Sequence, residues 1–206
     1  MAPSQARPIG RDDLARAVRS VARHFNTDRV VIIGSQALLV GRADIQRSLR
    51  MSPEIDAYPE NARDWEAGQI DGIEASEEIN ALFGEGSDFH RTHGFYIDGV
   101  DENTARLPRD WLDRAHTLKI DLEDNKTITA IAPEPADLIA AKLTRGEPKD
   151  VKFASLCLHQ GLAKHADVKA RLESILTADE LAVAIRRLNQ ATHKQAAAAI
   201  GQGFGF

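Results

Sequence analysis

Four consecutive β-branched residues, Val30-Val31-Ile32-Ile33, run without a break into Gly34-Ser35 and then Gln36-Ala37-Leu38-Leu39. Branching at Cβ stiffens χ1, and an apolar run this short reads as a buried strand. The residues after Gly-Ser read as the first turn of a helix. Strand, Gly-Ser, helix is an arrangement that holds phosphate. Glycine lets backbone approach a ligand, serine adds a hydroxyl, and a helix N-terminus offers N–H groups to an anion. A second strand expected over Met51 to Tyr58 carries Glu54 and Asp56 two residues apart, hence on one face. Adjacent carboxylates repel unless a cation lies between them. Mg²⁺ takes oxygen ligands together with substrate phosphates.

Gly34-Ser35 followed by Glu54-Ile55-Asp56 resembles the signature of the nucleotidyltransferase superfamily: Gly-Ser, a spacer, then two acids flanking one residue. The stretch PEPADLIAAKLTRGEPKDVKFASLCLHQGL is similar to the C-terminal half of AbiEii-type nucleotidyltransferases. In those proteins a lysine on one helix precedes a Lys/Arg-Asp step that opens the next. The segment FHRTHGFYIDGV…TARLPRDWLDR is similar to a bacterial subgroup of uncharacterised nucleotidyltransferase-like proteins. The likeness covers roughly residues 28–162. It departs from the pattern in two ways: the first acid is Glu54 where Asp is commoner, and the spacer of residues 36–53 is long.

The resemblance implies an α/β (α+β) fold, a mixed β-sheet flanked by helices with a helical C-terminal part. It also implies transfer of a nucleoside monophosphate from an NTP to a hydroxyl or phosphate acceptor, with release of pyrophosphate. Gly34 and Ser35 would seat the β- and γ-phosphates. Glu54 and Asp56, with Asp98 or Asp121, would hold one or two Mg²⁺ ions. Lys142 would reach the nucleotide phosphates, and Asp150 would belong to the active-site group. An AbiEii-like toxin would act on tRNA or another RNA and be paired with an antitoxin protein.

The 206 residues are expected to form a nucleotidyltransferase domain over 1–132 and a helical part over 133–206 packed on it. With 43% hydrophobic and 28% charged residues, the composition is that of a globular chain able to bury a core. Net charge is −5, so no global basic field draws in nucleic acid, and any RNA contact is local. The one cysteine, Cys157, excludes an internal disulfide and suits a reducing cytoplasm; its apolar neighbours mark it as a packing residue. No apolar run spans a membrane, and the N-terminus lacks the apolar stretch of a signal peptide.

Residues 11–25 have helical periodicity, with Leu14, Val18, Val21 and Phe25 on one face and arginines on the other, either a solvated surface or a basic rim for nucleic acid. Arg42, Arg47 and Arg50 are candidates for triphosphate or tRNA backbone. The acidic stretch 60–78 reads as the solvated face of one or two helices, broken at Gly84-Glu85-Gly86-Ser87. His90 and His93 are expected in a loop, with no third ligand nearby for zinc, and Phe95 to Val100 as a third strand. Leu107 to Leu112 reads as a short helix start. A hairpin follows, with strands over 117–122 and 127–131 and a turn at Glu123 to Lys126. Asp98 and Asp121 both remain candidates for the third carboxylate. Helices are expected from Pro135, from Lys149-Asp150, and through 165–192. Lys142 either snorkels or meets phosphate.

Two rival readings stay open. A non-catalytic interaction protein, antitoxin included, would keep the fold without the chemistry. A small-molecule transferase of the aminoglycoside-modifying kind would match the acidic charge to a cationic substrate.

Overall fold

The computed structural model describes residues 7–122 and 126–201, with side chains through 193. Five strands form one sheet: β1 (Arg29–Ile33), β2 (Glu54–Pro59), β3 (Tyr96–Gly99), β4 (His116–Asp121) and β5 (Thr127–Ala132). Their order is β3-β2-β1-β5-β4. β1 runs antiparallel to β2 and parallel to β5, β2 is parallel to β3, and β4 and β5 form the antiparallel hairpin. The mixed α/β architecture is the one expected from the sequence. The tip of the hairpin, residues 123–125, lies outside the described residues.

The chain divides into two compact units. The first holds the sheet and comprises the residues up to Thr104 together with Ala115–Ala132. Helix α1 (Arg11–His24) buries Leu14, Ala17, Val18, Val21 and Ala22. Its start is secured by Asp13, which accepts from the Gly10 N–H at 2.9 Å. The arginine face of α1 is in part structural. Arg11 donates to the Leu39 and Val40 carbonyls, and Arg19 to the Asp121 carbonyl. Arg50 likewise donates to the Ile9 and Ile45 carbonyls, and Arg42 pairs with Asp44 at 2.7 Å.

After β1 the chain makes a 3₁₀ turn (Ser35–Ala37) and a single α-turn, α2 (Leu38–Gly41), rather than the longer helix expected there. A dipole that short adds little to anion binding. The acidic stretch supplies two helices, α3 (Ala62–Ala67) and α4 (Ala75–Phe83), and α4 packs on β3 through Ile79. The histidine segment, expected as loop, is a short helix, α5 (Asp88–His93). The Ser87 side chain caps it by accepting from the His90 N–H, and Gly94 ends it. Local capping decides this, where apolar periodicity is too short to show.

The second unit comprises Ala105–Arg114 and the chain from Pro133 onward. Its helices are α6 (Pro135–Arg145), α7 (Pro148–His159), α8 (His165–Ile175) and α9 (Ala178–Gly201), packed around Leu138, Ile139, Leu143, Ala154, Cys157, Leu172 and Leu188. Burial pushes the Cys157 thiol up to about 12, which fits a packing residue. Phe204 and Phe206 lie outside the described residues. The segment 105–114 is tied here by charge. Arg106 donates to Glu180 at 2.7 Å, and Arg114 forks onto buried Asp137 at 2.7 and 2.8 Å.

Gly146 ends α6 at φ +75°, and the Arg187 guanidinium occupies the space a Cβ would take. Arg187 also donates to the Leu143 and Thr144 carbonyls, which satisfies the end of that helix. Gly146→Ala therefore meets both left-handed strain and a displaced arginine. It should lower stability by about 2 kcal/mol in urea unfolding monitored by circular dichroism.

Candidate active site

Alternation along β2 leaves Glu54, Asp56 and Tyr58 half-buried, while Ile55, Ala57 and Pro59 face the core. The antiparallel register sets Asp56 opposite Ile33, the last residue of β1, so the turn after β1 arrives beside that carboxylate. Gly34 has φ +71°, and any Cβ there would collide with the Asp56 carboxylate. Glycine answers both needs, the left-handed backbone and the close approach. Ser35 follows, half-buried. Gln36, fully buried, donates to the Ser52 carbonyl at 2.9 Å and so ties this turn to the segment that leads into β2.

The neighbouring strand completes the face. Parallel register sets Tyr96 beside Glu54 and Asp98 beside Asp56. Paired strands lie about 4.8 Å apart, so Glu54, Asp56 and Asp98 form a small patch of carboxylates. Burial pushes the Asp98 carboxyl above its ordinary range, and the nearby Glu54 pushes it further. Tyr96 is raised to about 12, first by burial and then by Glu54 and Glu85. Its hydroxyl donates to Glu54 Oε2 at 3.3 Å. Among the described residues, no arginine or lysine pairs with Glu54 or Asp98.

Asp121 is not brought to this patch. It lies on β4, three strands from Asp56, roughly 14 Å at about 4.8 Å per step. Its partner Thr127 opens β5, whereas the β1 end that meets Asp56 lies toward the close of β5. Of the two candidates for a third carboxylate, register puts Asp98, not Asp121, next to Asp56.

Lys142 and Asp150 lie in the second unit, close to each other. Lys142 Nζ is 3.9 Å from Asp150 Oδ1 and 5.0 Å from the centre of the Phe153 ring. Asp150 is buried, takes both arms of Arg145 at 2.7 and 2.9 Å, and accepts from the Glu147 N–H at the start of α7. Burial opposes its charge, but the Arg145 hydrogen bonds and charge, with Lys142 and the backbone, hold it below the ordinary carboxylate range. These contacts serve as a helix cap and an ion pair. His90 and His93 hold no third ligand, and among the described residues no group of three or more His, Cys, Asp or Glu is arranged around a metal position. His90 instead accepts at Nδ1 from the Gly86 N–H.

Tyr96 and Gln36 lie inside stretches singled out in the sequence, but neither is given a role there. The sequence signal for Tyr96 is that Tyr96-Ile97-Asp98 repeats the spacing of Glu54-Ile55-Asp56, which becomes meaningful once the two strands pair in parallel. Gln36 reads as an ordinary first-turn residue, and only its burial sets it apart.

Two outcomes check this geometry. Gly34→Ala should displace the Asp56 side chain and cost about 2 kcal/mol of stability, read by urea unfolding and by the backbone shifts of Asp56 in NMR. Asp150→Ala should cost about 2 kcal/mol at pH 7. A depressed carboxylate stabilises above its unfolded pKa of about 3.9 and loses that contribution as pH falls through the lower folded value. The gap between Asp150→Ala and wild type should therefore shrink as unfolding is repeated below about pH 4.

No curated protein and no solved structure matched the chain. A family model described as "Nucleotidyltransferase of unknown function (DUF6036)" matches residues 12–196, which includes both strands of the carboxylate patch, the Gly34-Ser35 turn and most of the second unit. The chain belongs to that family of nucleotidyltransferases.

Proposed function

We propose that this chain is a Mg²⁺-dependent nucleotidyltransferase whose reactive centre is the face bearing Glu54, Asp56 and Asp98 beside Gly34-Ser35. The observation that carries the reading is electrostatic. Three carboxylates share one half-open face, and Glu54 and Asp98 have no basic partner among the described residues. Such a patch is stable as a cation site and costly otherwise. The donor set fits Mg²⁺, which binds through one or two carboxylates plus water and substrate phosphates, so a closed cage of three protein ligands is not required. When bound, the ion would neutralise the triphosphate and favour ionisation of the attacking oxygen.

The acceptor oxygen would attack the α-phosphorus of the NTP, the bond to the bridging oxygen would break, and pyrophosphate would leave. Gly34 and Ser35 would present backbone and hydroxyl to the phosphates. One or two of Glu54, Asp56 and Asp98 would hold the metal together with water and the substrate phosphates, and the acceptor proton would pass to a carboxylate or to water.

The resemblance of residues 133–162 to AbiEii-type proteins supports an RNA acceptor such as tRNA, an antitoxin partner and a toxin role. One observation favours a second acceptor, a cationic small molecule. A cavity of about 440 Å³ opens at Tyr58, further along β2; its lining includes Asp64, Glu66 and Glu74, with Glu102 paired to Arg63 and Glu60 to Arg29.

Incubation with each radiolabelled NTP and Mg²⁺, with total tRNA in one arm and an aminoglycoside in the other, tests both. Label should enter one acceptor and be lost with EDTA. Glu54→Gln and Asp56→Asn should each reduce transfer by more than about 100-fold with the fold retained. Full transfer by Asp56→Asn would remove the enzymatic reading.

A further inference from the structure

Glutamate at position 54 has one more methylene and one more rotatable bond than aspartate, so its carboxylate is harder to hold in one place. The structure supplies a constraint. β3 lies parallel to β2 with Tyr96 in register beside Glu54, and the Tyr96 hydroxyl donates to Glu54 Oε2 at 3.3 Å. The tyrosine ring is backed by His90, whose ring centre is 5.1 Å away. His90 is itself seated, because its Nδ1 accepts from the Gly86 N–H at 3.0 Å and its backbone N–H is capped by Ser87. From Ser87 through His90 and Tyr96 to Glu54, each group fixes the next. Only the last carries a charge suited to a cation.

We propose that Tyr96 is a positioning residue for the Glu54 carboxylate, and that through it this chain uses glutamate where a shorter acid would otherwise stand. The inference rests on the metal reading above and adds the group that orients one ligand. Partners behind a metal ligand set its orientation, and their loss typically weakens metal binding by about 10–100-fold. At 3.3 Å the hydrogen bond is long, so the lower end applies. The shorter side chain of aspartate at 54 would fall short of the hydroxyl, which makes the dependence on Tyr96 specific to glutamate.

The test is a double-mutant cycle on the full chain with Mn²⁺ alone as probe, bound ion being read from the loss of the free-ion EPR signal. Tyr96→Phe should weaken Mn²⁺ about tenfold while thermal unfolding stays close to wild type, since the ring is kept. In a Glu54→Asp background, Tyr96→Phe should change Mn²⁺ affinity by less than about twofold, the coupling that marks action through Glu54. Equal Mn²⁺ affinity of Tyr96→Phe and wild type would overturn the assignment. So would the same loss in both backgrounds, which would mark a structural effect. Wild-type protein that binds no Mn²⁺, or binds it undiminished after Asp56→Asn, would overturn the metal reading as well, so the two failures are distinguishable.

Discussion

Asp56 lies so close to residue 34 that no side chain fits between them. That approach follows from antiparallel pairing of β1 with β2, which sets the last residue of one strand against an acid near the start of the other. The remaining geometry is built on it. Because the turn after β1 must pass over Asp56, it takes a left-handed glycine. Because Gln36 anchors that turn to Ser52, the entry to β2 is held and with it the height of Glu54. Adding β3 in parallel then sets Asp98 and Tyr96 at fixed positions beside the two acids.

The buried acids of the second unit and the half-buried acids of the sheet face are compensated differently. In the second unit each buried acid has its cations. Asp137 is forked by Arg114 and approached by Arg171, and Asp150 by Arg145 and Lys142. Such pairs offset the desolvation of the acid, and breaking one leaves an uncompensated charge. On the sheet face, Glu54 and Asp98 have no such partner among the described residues, and burial, then the nearby Glu54, makes Asp98 ionise less readily. Glu54 and Asp98 are therefore the acids of this face that the proposed cation would compensate.

The arginines show how surface charge can mislead. Arg11, Arg19 and Arg50 look like candidates for phosphate because of charge and spacing. Each donates to backbone carbonyls at a helix end, a strand end or a loop. Guanidinium suits both tasks, so residue type alone does not separate them.

Where local physics decides, the sequence was legible. β-branching marks β1, alternation marks the acid-bearing face of β2, Pro135 marks a helix start, and the Gly34-Ser35 to Glu54-Asp56 order marks the family. α5 was missed because its six residues carry a cap rather than a periodic apolar face. The third carboxylate was not legible, because Asp98 and Asp121 each sit in a plausible strand and nothing local says which strand adjoins β2. Tyr96 was silent for the same reason. Sequence alone determined which acids point the same way along their own strand, since that depends on a period of two residues. Tertiary structure decided which strands lie side by side and in what register, since that is settled by burial of both sheet faces across residues far apart in the chain.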